Sequence, residues 1–83
     1  MDLLYFAWVR EAVGVGQEHV DPPEAVASVA DLIAWLATRS PGHAVAFSEP
    51  AKLRAAVDQR FVPLDTPLNG AKEVALFPPV TGG

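Results

Sequence analysis

Cysteine is absent from the 83-residue chain, which leaves no disulfide, no thiolate metal site and no cysteine nucleophile. Basic residues are scarce: six Lys and Arg against ten Asp and Glu give a formal net charge of −4. Nucleic acid is bound by neutralising phosphates with Lys and Arg, and an anionic membrane surface makes the same demand, so both are disfavoured as partners. Met1 leads directly into Asp2 and a short strand-like run, not into a basic segment and a long apolar one. The expectation is therefore neither a signal peptide nor a transmembrane helix, and a cytoplasmic protein. Internal repeats and low-complexity segments are missing too. With 51% apolar and 19% charged residues, the chain reads as one small globular domain with a single core.

The inventory for catalysis is equally thin. His19 and His43 fall in different stretches without the carboxylate spacing of a metal site or a triad, and both read as ordinary surface histidines. Gly14-Val15-Gly16 lacks the third glycine and the following helix start of a dinucleotide loop, and no phosphate-binding lysine motif follows, so it reads as a turn. Glu18, Asp21, Glu24 and Asp31 read as solvated or capping groups rather than an acid/base pair. No metal site is expected.

Residues 3–9 are apolar on both alternating sets and predict a central strand, with Leu3, Tyr5, Ala7 and Val9 on one face and Leu4, Phe6 and Trp8 on the other. Residues 10–14 predict a compact turn, and residues 17–20 a short edge strand returning beside the first. After the break at Pro22-Pro23, Ser28 is an N-cap for a helix whose apolar stripe is Val29, Leu32, Ile33 and Leu36, with Asp31 near its positive end; it should stop before Pro41-Gly42. Residues 43–51 carry no clear regular element, although Phe47 could anchor a helical turn. Residues 52–57 and 60–62 predict a second hairpin closed at Asp58-Gln59, residues 65–70 a turn cluster, and Glu73 to Phe77 the final strand. A hairpin, a helix and a long crossover to a last strand close most naturally with that strand parallel to the first. The fold class is α+β: a β-grasp, ubiquitin-like domain over residues 1–77, its mixed sheet carrying one main helix packed on one face.

Residues 78–83, Pro-Pro-Val-Thr-Gly-Gly, then form a projecting tail. Pro78 and Pro79 fix φ and donate no hydrogen bond to a ladder. Gly82 and Gly83 have no β-carbon, so this backbone can enter a slot too narrow for other residues. Alone, a Gly-Gly end is as compatible with an uninformative terminus as with function. Its one reactive group is the Gly83 α-carboxylate, a poor acyl donor until attack on the α-phosphate of ATP makes an acyl-adenylate. A sulfur donor could then convert it to a thiocarboxylate. Nothing in the chain resembles an ATP site, so ATP and sulfur must be handled by partners.

The stretches Phe6-Ala7-Trp8-Val9-Arg10-Glu11, Leu53-Arg54-Ala55-Ala56-Val57-Asp58-Gln59, Asp65-Thr66-Pro67-Leu68-Asn69-Gly70 and the continuous run from Glu73 to Gly83 carry a resemblance. Over nearly its whole length the sequence resembles the small, sulfur-carrying subunits of molybdopterin synthases. That family usually has asparagine at the position of Asp58 and often a polar residue at that of Trp8; the latter change could alter a contact surface. The resemblance implies that Gly83, with Gly82, is adenylated by a ubiquitin-activating-enzyme-like adenylyltransferase and receives sulfur from a separate donor. Pro78, Pro79, Val80 and Thr81 then enter the large subunit of a heterotetrameric synthase. There the thiocarboxylate gives its sulfur to cyclic pyranopterin monophosphate, in two rounds, to build the dithiolene of molybdopterin. The catalytic side chains lie on the large subunit, and this chain binds no cofactor of its own. It implies too that Phe6, Phe61 and Phe77 form an apolar docking surface, the alternative being that all three are core. Arg10 and Lys52 either flank that surface or are plain solvated residues. Carriers for thiamine or cysteine biosynthesis, a ubiquitin-like protein modifier, and a plain interaction module are the competing readings.

Overall fold

The computed structural model describes residues 1–79. In chain order the elements are β1 (Asp2–Tyr5), α1 (Ala7–Val13), β2 (Gln17–His19), α2 (Val29–Leu36), α3 (Pro41–Ala46), a 3-10 turn (Pro50–Lys52), β3 (Arg54–Val57), β4 (Arg60–Val62) and β5 (Glu73–Phe77). One five-stranded sheet runs β2-β1-β5-β3-β4. β5 lies at its centre, parallel to β1 and antiparallel to β3, while β2 and β4 pair antiparallel at the two edges. This is the β-grasp arrangement expected from the order of elements.

Register assigns each side chain to a face. Leu3 pairs with Val74, Tyr5 with Leu76, and Ala55 with Leu76. These residues share one core with Val29, Leu32, Ile33 and Leu36 of α2, the stripe read from the sequence. Because side chains alternate along a strand, Ala56, Ala75 and Phe77 point to the opposite face, and Phe61, opposite Ala56, joins them. α2 begins with a capping box: the Ser28 hydroxyl accepts from the Asp31 N–H, and the Asp31 carboxylate accepts from the Ser28 and Ala27 N–H groups. Those two backbone hydrogen bonds hold the Asp31 carboxyl below the usual range.

Two stretches differ from expectation. The first strand stops at Tyr5 instead of Val9, and residues 7–13 form α1 where a strand end and a turn were expected. Phe6 is extended and Ala7 takes a φ of 53°, so the chain swings out of the sheet. Val9 then enters the core from a helix, with Ala12 and Val13 packed beside it. A run apolar on all sides satisfies strand and helix patterns alike. Gly14 ends α1 in the left-handed region at φ 98°, its N–H donating to the Arg10 carbonyl at 2.9 Å.

The second difference is α3, where no regular element was expected. Ser40 caps it, accepting from the His43 N–H, and Pro41 sits in its first turn, where a proline has no hydrogen bond to lose. Pro41-Gly42 both ends the chain path from α2 and starts this helix. The second hairpin turns as expected, with positive φ at Asp58 and Gln59. The Asp58 carboxylate accepts from the Lys72 and Glu73 N–H groups, each at 3.0 Å, and so fixes where β5 begins. Among the described residues no helix is long and apolar enough to cross a membrane.

Candidate functional site

The sheet face turned away from the core ends, at the C-terminus of β5, in a cluster of aromatic rings. Phe77 meets Phe61 edge-on, with centroids 5.7 Å apart, and meets Phe6 in the same manner at 6.5 Å. β4, as an edge strand, supplies Phe61; the residue that closes β1 and precedes α1 supplies Phe6. Phe61 is 82% exposed and Phe6 50%, so the reading of all three as core is excluded. Ala56 and Ala75 form a flat floor between the rings, and with Pro78 and Pro79 they bound an apolar hollow of about 570 Å³. Small floor residues and rigid rings make a shallow surface suited to another protein's apolar side chains.

Pro78 and Pro79 also wall a second hollow of about 590 Å³, shared with Trp8, Val45, Ala51 and Lys52. Lys52 thus stands at the root of the tail, paired with Glu49 at 3.1 Å. Arg10 stands elsewhere: it folds across Gly16 and lines a separate hollow with Glu11 and Gly14, touching the aromatic hollow only through their shared neighbour Ala7. Phe6, Phe61, Phe77, Pro78 and Pro79 are therefore brought together, Lys52 joins them at the prolines, and Arg10 does not. Val80, Thr81, Gly82 and Gly83 lie outside the described residues. Val45 had no signal in sequence, because the helix that presents it was not foreseen; Ala56 and Ala75 were readable from strand alternation once β3 and β5 were paired.

A polar cluster sits at the same end of the sheet but on its core face, where Tyr5 closes β1, and corrects two expectations, since Glu18 is hydrogen-bonded there and not simply solvated. His43 is buried, not a surface residue. Its Nε2 lies 2.7 Å from the Glu18 carboxylate, and its Nδ1 lies 2.7 Å from the Ser40 hydroxyl. The same Glu18 oxygen accepts from the Tyr5 hydroxyl at 2.7 Å. Burial pushes the Tyr5 hydroxyl far up, and the hydrogen bond to Glu18 pushes it further. Burial acts on Glu18 in the opposite sense to its partners. Hydrogen bonds from Tyr5 and His43, with nearby positive charge including Arg39, outweigh it and hold the carboxyl below the usual range. His19 is exposed as expected, though Asp2 and Asp21 stand 2.9 and 3.4 Å from its ring nitrogens. Among the described residues no group of three or more His, Asp or Glu is placed to hold a metal ion.

Comparison with known proteins agrees with this architecture. The chain is 46% identical to the molybdopterin synthase sulfur carrier subunit of Escherichia coli (strain K12), covering 98% of this chain and 96% of that protein. Identity to the Haemophilus influenzae protein of the same description is 35%, over 100% and 99%. Among solved structures, a molybdopterin converting factor subunit 1 from Pyrococcus furiosus superposes with a TM-score of 0.72 at 33% identity, covering 95% of each chain. SAMP1 from Haloferax volcanii superposes with a TM-score of 0.70 at 25% identity, over 100% and 98%. The ThiS family model matches residues 3–83, from the second residue of β1 to the terminal glycine, and the chain belongs to the ThiS family.

Proposed function

We propose that the chain is the sulfur-carrier subunit of a molybdopterin synthase, working in the cytoplasm as a non-catalytic member of a heterotetramer built from two kinds of subunit. One observation carries this reading: 46% and 35% identity over nearly the whole length of two carriers so described, in a chain whose aromatic surface borders the prolines that lead to Gly82 and Gly83. In the proposed cycle the Gly83 carboxylate attacks the α-phosphate of ATP on an activating adenylyltransferase, and pyrophosphate leaves. A sulfur donor then displaces AMP and leaves a thiocarboxylate. The loaded tail enters the large subunit, which transfers the sulfur to cyclic pyranopterin monophosphate. ATP is bound by the activating partner, not by this chain. Carriers for thiamine or cysteine biosynthesis share the fold and the Gly-Gly end, but the two curated relatives, at 46% and 35% identity, are named for molybdopterin synthase.

Intact-mass spectrometry after incubation with the activating enzyme, ATP and a sulfur donor tests the reading. The expected product is heavier by the difference between sulfur and oxygen, with the change mapping to Gly83. Deleting Gly83 removes that change and the transfer activity while leaving the melting temperature nearly as it was. A chain that stays unmodified in an assay that loads the Escherichia coli relative would overturn it.

A further inference from the structure

Phe6, Trp8, Val45 and Phe61 are large apolar side chains exposed by 50%, 39%, 68% and 82%, and they fall on two sides of one feature. Phe6 and Phe61 line the aromatic hollow, Trp8 and Val45 line the second hollow, and Pro78 and Pro79 wall both. Val15, the other exposed large apolar residue among those described, lines neither. Single exposed apolar residues are ordinary, but a contiguous set marks an interaction surface.

Chain length identifies what covers it. Four residues follow Pro79, and four extended residues span at most about 14 Å. A protein that brings reacting groups to Gly83 must therefore set its own surface against Pro79. Because that proline walls both hollows, a rim closing around the tail meets Trp8 and Val45 on one side as it meets Phe61 on the other. We infer that the Trp8 and Val45 hollow is the second half of the docking surface, filled by apolar side chains on the rim of the large subunit that receives the tail. This inference rests on the reading of the chain as that subunit's sulfur carrier. Trp8 supplies the large, rigid contact area of an interface anchor. The exposed Lys52 and Glu49 pair borders it, giving the apolar centre and polar edge of a protein interface.

Titration calorimetry of the purified large subunit with the full-length chain tests this, using Val45→Arg, Trp8→Gln, Phe61→Ala and Val15→Arg alongside the unaltered chain, each first melted to establish that it folds. Val45→Arg and Trp8→Gln are expected to weaken binding about tenfold each, and Val15→Arg to stay within about twofold. Should Trp8→Gln fail to fold, Val45→Arg, on an exposed position, decides alone. Unaltered affinity for Val45→Arg beside a weakened Phe61→Ala overturns the second half of the surface and leaves the carrier reading standing. Failure of the unaltered chain to bind overturns the carrier reading, and this inference with it.

Discussion

Glu18 is the residue at which β1, β2 and α3 are tied together, through Tyr5 and His43. Its depressed folded-state pKa sets the sign of its effect. The stability it contributes is whole above the unfolded carboxylate value, about pH 4.3, and is lost as pH falls from there through the folded value. The raised Tyr5 pKa acts at the other extreme: its contribution is whole below about pH 10 and erodes as the medium becomes more alkaline. Glu18→Ala leaves the Tyr5 hydroxyl and His43 Nε2 without their partner and is expected to cost about 1–3 kcal/mol at neutral pH. Urea unfolding at a series of pH values should show the gap between the two proteins narrowing below about pH 4; a gap independent of pH would contradict the assignment. His43 was not legible as a buried residue. Its local context, three residues after Ser40, is visible in sequence, but Glu18 lies 25 residues away and only the folded sheet brings the two together.

At the scale of elements, α1 and α3 form a pair whose approach depends on one missing methyl group. A β-carbon on Gly42 would press on the Ala12 carbonyl oxygen, with the Val13 backbone close behind. Backbone atoms cannot rotate aside as a side chain can, so the two helices must separate. Gly42→Ala is accordingly expected to destabilise by about 1–3 kcal/mol, even though alanine favours a helix over glycine by up to about 1 kcal/mol. Denaturant unfolding reads the sum, and a stabilised variant would show that the helices do not depend on this approach. These were also the elements least legible beforehand. α2 announced itself by its cap and its 3.6-residue stripe, and the strands by alternation and by turns at Asp58-Gln59 and Gly70. α1 is short and follows a strand inside one unbroken apolar run. α3 begins at a Ser-Pro pair that reads equally as the end of the helix before it. The aromatic half of the candidate site was implied in advance by the resemblance, with strand alternation agreeing for Phe77, although Phe6 stands just past β1 and not in it. The Trp8 and Val45 half, which depends on these two helices, was not.

For the whole molecule, the sheet divides labour between its faces. One face is spent on the core and the other, with rings standing on Ala56 and Ala75, is left open beside the tail. Stability and the proposed docking are thereby assigned to separate faces. Phe61→Ala removes a ring that is 82% exposed, so it should change unfolding free energy by no more than about 0.5 kcal/mol while weakening the large-subunit complex by more than about 1 kcal/mol. Parallel melting and binding measurements check this, and a comparable loss in both would place Phe61 in the fold rather than at the interface. The tail, moreover, continues from β5, the central strand, which has four registered pairs with β1 on one side and four with β3 on the other. A tension applied at Gly83 acts along that strand. It loads both ladders in shear, where hydrogen bonds must fail together, and not by peeling, where they fail singly. In the proposed cycle, the pull that frees the end of this chain from its partner would fall on the part of the sheet best arranged to resist it.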